Sequence, residues 1–349
     1  MTVLVRAPRE LDLAWAQRVL GERARAASLE TKLVDVGTTT RVLLRIEHDG
    51  PPELPRDWFV KLPSRSWRAW AVTALPRLPQ TEVRFYEELA AEVPVALPRA
   101  LAARTRVGRG FVLVLEDLRE SGCVPGRPGD ALDAEQAGRV TDLLARLHAS
   151  RWEDPRLDGP LAWLAGPVRR LEDGLGTALA VPLMRRGLDR AGDAVPAALR
   201  TPALRYARLR RRAMRNLTSG PRTLIHHDCH PGNLYWRGEE PGLLDWQLVR
   251  IGEGVGDLAY LCATALRPEV RRAAEPALLA RYAAALAAAG VTPPADLADR
   301  YRAHLSYAFE AMVVTLAVGG LMQEEVVLEL VRRTASAVAD HDAFAAAGV

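Results

Sequence analysis

The chain has 349 residues, 49% of them hydrophobic, with 47 Lys or Arg against 43 Asp or Glu and a formal net charge of +4. That length suits two compact units or one large two-lobed one, and the interleaving of basic and acidic residues argues against a nucleic-acid surface. The longest apolar candidate, Ala311 to Met322, falls short of the roughly 18 residues a membrane span needs, and Met1 to Pro8 lacks a leader pattern, so a cytoplasmic protein with no membrane partner is expected. Cys123, Cys229 and Cys262 are odd in number and scattered, which argues against a disulfide framework.

In chain order, residues 1–27 read as a helical lead-in with Leu11, Leu13, Trp15, Val19 and Leu20 as its apolar positions. Three strands follow: Lys32 to Val36, Val42 to Ile46, and Asp57 to Leu62. Gly37 and Thr38 open the tip between the first two, where a glycine and hydroxyls suit approach to a phosphate. Only Lys32 and Lys61 are lysine in a chain otherwise using arginine, so Lys61 is read as a place where a compact ammonium is needed, the alternative being a chance survivor. A helix is expected from about Thr81 to Ala91. Glu82 shares its inward stripe with Phe85, Tyr86 and Leu89 and is free to pair with Lys61; the alternative is a surface acid favoured by the helix dipole.

The apolar run Phe111 to Leu115 reads as a buried strand ending at Glu116-Asp117-Leu118. The Gly- and Pro-rich stretch Gly122 to Gly129 breaks the pattern, and a lobe boundary is placed near residue 118. From Asp133 the chain reads mainly helical, with an amphipathic segment Gln136 to Ser150 in which His148 faces the core. The cluster Arg208 to Arg215 reads as a solvated helix face or, alternatively, as a patch near an anionic substrate or product. Glu310, Glu324 and Glu325 read as solvated helix charges or, alternatively, as attractants for a cation. Trp67, Trp70, Trp163 and Trp246 suit core packing or an apolar pocket wall. Asp257, at the start of a helix, is a plausible N-cap.

The densest chemical signal is His226-His227-Asp228-Cys229-His230-Pro231-Gly232-Asn233, followed by Leu244-Asp245-Trp246. Asn233 to Trp236 and Leu243 to Trp246 read as two strands joined by the turn Gly238 to Gly242, a hairpin that would return Asp245 to Asn233. Phosphoryl transfer needs one carboxylate to orient a hydroxyl and take its proton, and an amide and a second carboxylate as oxygen ligands for Mg²⁺. The same loop leaves open a zinc hydrolase built on His226, His227, His230 and Cys229, though structural zinc spacings are absent. His226 is expected to brace the loop.

Taken together, Val60-Lys61, Glu82-Val83-Arg84-Phe85-Tyr86, Leu113 to Leu118, Leu147-His148, His226-His227-Asp228 with Asn233, Leu244-Asp245-Trp246-Gln247 and Gly256 to Ala259 resemble the aminoglycoside phosphotransferase and choline kinase-like superfamily. The resemblance implies an α+β, two-lobed, protein-kinase-like fold: a small antiparallel-sheet N-lobe over 1–117 that binds nucleotide, and a larger, mainly helical C-lobe over 118–349 that holds catalysis and substrate. It implies an ATP- and Mg²⁺-dependent transfer of phosphate to a hydroxyl of a small molecule, such as an antibiotic, amino sugar or other secondary metabolite, by a monomer or homodimer. Asp228 would be the base, with His226 in the same catalytic loop. Lys61 would contact the nucleotide phosphates and be held by Glu82, with Gly37 and Thr38 at the phosphate tip. The backbone from Glu116 to Leu118 would bind the adenine edge, Asn233 and Asp245 would hold Mg²⁺, and Asp257 would brace the loop from behind. His227 stands where the family often has glycine, and Gln247 where many antibiotic kinases carry an acid. Leu-Glu-Asp-Leu with Asp-Trp-Gln leans toward the ecdysteroid-kinase-like and general small-molecule kinase branches. A nucleotide-binding regulator without turnover is the remaining alternative.

Overall fold

A computed structural model describes residues 3–36, 39–64, 78–106 and 110–349. Gly37, Thr38, Trp67 and Trp70 lie outside the described residues. The chain forms two compact units: Met1–Pro125 together with Leu244–Leu248, and Gly126–Leu243 together with Val249–Val349.

In the first unit, the lead-in is helical only over α1, Leu13–Leu20, which Asp12 caps by accepting the Trp15 amide at 2.7 Å. Gly21, at φ +61°, ends it, because a left-handed residue cannot continue a right-handed helix. Leu13 proves exposed, while Leu11, Trp15, Val19 and Leu20 are buried as expected. The strands are β1 Ala26–Val36, β2 Thr39–His48, β3 Asp57–Pro63, β4 Ala100–Arg106 and β5 Gly110–Glu116. They form one antiparallel sheet in the order β1-β2-β3-β5-β4. Alternate residues of β2 and β3, among them Val42, Leu44, Trp58 and Val60, are fully buried with Trp15 of α1. This period of two is what a sheet with one face on a core requires. In β5 the whole run Phe111 to Leu115 is buried.

Helix α2, Leu78–Glu88, stops three residues earlier than its apolar periodicity predicts. The amides of Leu89 and Ala90 both turn back to the Phe85 carbonyl, closing the last turn.

The second unit is mainly helical. Helix α3, Ala134–Ala149, opens on a capping box between Asp133 and Gln136. It is followed by α4 Pro167–Ala191, α5 Ala197–Arg208, α6 Arg210–Asn216, α7 Val255–Ala265, α8 Pro268–Ala288, α9 Leu297–Val318 and α10 Glu324–His341. Helix α9 packs against α4, α7 and α10, and α3 packs against α8. Two short antiparallel ribbons carry the loops of interest. Strand β6, Thr223–Ile225, pairs with β9, Arg250–Gly252. Strand β7, Leu234–Arg237, pairs with β8, Glu240–Leu243.

This hairpin turns more tightly than the composition of Gly238 to Gly242 suggests. Gly238, at φ +59°, permits a two-residue connection, and Glu240, Pro241 and Gly242 enter the strand. Trp246 therefore lies in a single 3₁₀ turn, Trp246–Leu248, rather than in a second strand. Among the described residues no helix is long and apolar enough to cross a membrane.

Candidate active site

In the first unit, β3 carries Lys61 and α2 carries Glu82. The two bury a charge pair: Lys61 is 7% exposed, Glu82 1%, and Nζ lies 2.8 and 2.9 Å from the two carboxylate oxygens. Asp245 adds a third charge, its Oδ1 3.5 Å from the same ammonium. The chain at Asp245 is at φ +58°, and Trp246 stacks on Phe85 with ring centres 4.1 Å apart and planes 8° from parallel. Phe85 is three residues along α2 from Glu82, so one helix fixes both the acid and the segment bearing Asp245. Trp246 is fully buried, which makes it a packing residue.

Burial pushes the Glu82 carboxyl up to about 7, opposed by Lys61 and assisted by Asp245. For Lys61, burial works against the charge, but Asp245 and Glu82 outweigh it and hold the ammonium above its ordinary value. The pair is thus an acid kept reluctant to ionise beside a cation kept firmly charged.

After β5, the Glu116 amide donates to the Arg99 carbonyl at 2.9 Å and the Asp117 amide to the Asp57 carbonyl at 2.8 Å. The Leu118 carbonyl accepts from the Cys123 amide and from Ser121 Oγ, each at 3.0 Å.

In the second unit the loop after β6 is held from behind by Asp257 on α7. Its two oxygens accept the main-chain amides of His226 and His227, each at 2.7 Å, and His148 Nε2 lies 3.2 Å away. His148 in turn bonds Tyr282 at 2.9 Å. Burial opposes ionisation of Asp257, yet His148, His226 and the loop amide keep its carboxyl below the ordinary carboxylate range. Gly254 is the N-cap of α7, so Asp257 sits inside the first turn. Its carboxylate serves the loop instead of capping its own helix.

His226 is fully buried, and its Nδ1 accepts the Asp228 amide at 3.3 Å. His227 adopts φ +71°, the left-handed region that favours glycine, and its ring stacks on Tyr307 with centres 4.3 Å apart.

Asp228 is clamped at both oxygens. Tyr260 donates its hydroxyl to Oδ1 at 2.7 Å, and Asn233 Nδ2 donates to Oδ2 at 3.0 Å and to the Asp228 carbonyl at 2.9 Å. Burial, followed by the Asp228 charge, pushes the Tyr260 phenol well up, so it remains a donor. The Asn233 amide nitrogen is committed to Asp228, which leaves its Oδ1 as the end that could meet a metal ion. That hard oxygen, like the Asp245 carboxylate, fits Mg²⁺.

The loop's softer donors are used differently. His230 Nδ1 accepts the Gly232 amide at 3.0 Å, and burial pushes the Cys229 thiol well up. Among the described residues no group of three or more His, Cys, Asp and Glu is arranged to hold a metal ion.

Tyr260 had no assigned role in the sequence. Its spacing of three from Asp257 on one helix, which puts both on the same face, was the available signal.

The architecture, a small antiparallel sheet unit and a larger helical unit, is that of the kinase-like phosphotransferases. The chain belongs to the phosphotransferase enzyme family, whose model matches residues 30–295. Its fold is similar to that of choline kinase from Cryptosporidium parvum Iowa II, at 12% identity and a TM-score of 0.53 over 94% of this chain and 92% of that one. It is also similar to the GDP complex of aminoglycoside 2′-phosphotransferase-IIIa, at 15% identity and a TM-score of 0.51 over 95% and 99% of the two chains. Macrolide 2′-phosphotransferase from Brachybacterium faecium matches at 18% identity and a TM-score of 0.45 over 92% and 97%. No curated protein sequence is matched by this chain.

Proposed function

We propose that this phosphotransferase is an ATP- and Mg²⁺-dependent kinase acting on a hydroxyl group of a small molecule. The observation that carries the reading is the buried Lys61–Glu82 pair with Asp245 against it. Three charges are held together in a sheet unit at a cost that packing alone does not require.

In this reading Lys61 neutralises the nucleotide phosphates, Glu82 fixes its position, and the backbone from Glu116 to Leu118 meets the adenine edge. Asn233 Oδ1 and Asp245 would hold Mg²⁺, which would supply charge to offset the phosphates. Asp228 accepts the proton of the acceptor hydroxyl while that oxygen bonds to the γ-phosphorus and the bond to the bridging oxygen breaks, releasing ADP. The Tyr260 and Asn233 hydrogen bonds fix the Asp228 carboxylate, and positioning of this kind supplies most of the rate in phosphoryl transfer. His226, with its ring on the Asp228 amide, acts as a positioning residue.

The test is ATP-dependent phosphorylation of a panel of alcohols, amino sugars, nucleosides and macrolides, read by mass spectrometry. Asp228→Asn is expected to lower turnover by about 10²–10⁴ while nucleotide binding survives. Near-normal turnover in that variant overturns the assignment.

A further inference from the structure

The second unit contains a cavity of about 600 Å³, within the roughly 300–1,000 Å³ of small-molecule sites. Tyr260, whose hydroxyl holds Asp228, and His227 both line it, so the cavity abuts the candidate base. Leu164, Met214, Leu217, Ile225 and Ile251 give it apolar walls.

The charges on its wall are of two kinds. Every lining carboxylate is already matched. Glu172 is paired with Arg169 and with Arg250 Nη2 at 2.8 Å, and Asp173 with Arg250 Nη1 at 3.0 Å. Glu253 accepts from Arg300 at 3.1 Å and from the Gly220 amide at 2.6 Å, and Asp257 is engaged by the loop. Glu310, a candidate for attracting a cation, lies behind the wall and is held by Arg210 and Tyr206. Glu324 is paired with Arg190. The arginines, by contrast, are in surplus. Arg211 and Arg215, four apart and so on one face of α6, line the cavity with no acid partner among the described residues. Arg170 lines it too, its side chain donating to the Ala165 carbonyl at 3.3 Å and, among the described residues, meeting no acid. Burial first, then the Arg250 and Arg169 charges, push the His227 pKa well below its ordinary value, so the ring stays neutral.

We infer that this cavity is the acceptor site and that it takes a hydroxylated acid: an apolar body against Met214, Ile225 and Ile251, with a carboxylate or phosphate toward Arg211 and Arg215. The inference rests on the phosphotransferase reading for its catalytic meaning. Its charge preference rests on the wall alone. A cationic acceptor would meet unmatched arginines and find no free carboxylate.

The test is calorimetry on the full chain without nucleotide, using 3-hydroxydecanoate, its methyl ester and 1-aminodecan-3-ol. The acid is expected to bind at least tenfold more tightly than either analogue. The double variant Arg211→Gln/Arg215→Gln should reduce the acid to the ester's affinity. Arg212→Gln, on the same helix but outside the cavity lining, should keep the preference. Thermal melting checks that each variant is folded. Equal affinity across the three probes, undetectable binding included, or a preference that survives in the double variant, overturns the inference. Loss of turnover on every acceptor with the affinity ranking intact would instead strike the phosphotransferase reading.

Discussion

Asp257 accepts the main-chain amide of His227 at 2.7 Å, and its other oxygen accepts that of His226. One buried carboxylate therefore fixes the backbone on which Asp228 stands. Hydrogen bonds to a charged group contribute about 1.5–3 kcal/mol each, so Asp257→Ala should destabilise the protein by about 2–4 kcal/mol. The folded pKa of Asp257 lies below its ordinary 3.8, so its stabilising contribution is present above that value and is lost as pH falls through the folded one. The gap in melting temperature between wild type and Asp257→Asn should accordingly be wide at pH 7 and narrow below pH about 4. A gap independent of pH would contradict an ionised Asp257.

Lys61→Arg should weaken use of ATP although arginine serves nearly everywhere else in the chain. A planar guanidinium does not fit where one ammonium meets both Glu82 oxygens at 2.8 and 2.9 Å. Glu82→Gln should show a smaller defect of the same kind. Steady-state kinetics with circular dichroism separate a lost contact from a lost fold, and wild-type kcat/KM for ATP in Lys61→Arg would remove the lysine from the nucleotide site.

The raised pKa of Glu82 adds a pH signature. Its folded value of about 7 exceeds the ordinary 4.5, so its contribution to stability is present below 4.5 and fades as pH rises through 7. The ionised acid is the form that holds Lys61. kcat/KM for ATP should therefore rise between pH 6 and 8 more steeply in wild type than in Glu82→Gln. Parallel profiles would show that Glu82 does not titrate in this range.

His227 at φ +71° carries a strain that glycine would not. Both His227→Ala and His227→Gly lose the stack on Tyr307, but only alanine keeps the left-handed penalty. The glycine variant should be the more stable of the two by about 1 kcal/mol, after allowance for its unfolded-state entropy. Thermal denaturation decides it, and equal stability would mean that the backbone relaxes when the ring is removed.

Asn233→Ala and Asp245→Ala should each abolish the increase in nucleotide affinity that Mg²⁺ produces, because each removes one hard-oxygen ligand. Calorimetry with and without the ion reads this directly. An undiminished increase in both variants would place the ion elsewhere.

The strands around Lys61 and the helical character of the second unit were legible in the residues, whereas the antiparallel sheet was an implication of the family resemblance that the register of β1 to β5 bears out. By type and spacing the sequence also singled out Lys61, Glu82, Asp228, Asn233 and Asp245 as the candidates to bear the chemistry. Segment lengths were less legible. The lead-in is cut to α1 by Gly21, and the hairpin is shortened by Gly238, because a single glycine at positive φ outweighs several residues of weak propensity. Partnership between charges came from the packing of distant segments. Asp257 reads locally as a helix cap, yet it serves amides 30 and 31 residues earlier in the chain. Glu310 reads as a free acid until Arg210, 100 residues away, is found against it. Arg211 and Arg215 read as a solvated face or as a patch near an anionic substrate; both are exposed, and both line the cavity. Local pattern fixes which face of a strand or helix a side chain occupies. Which charge meets which depends on long-range packing, and that packing leaves these two arginines without an acid among the described residues.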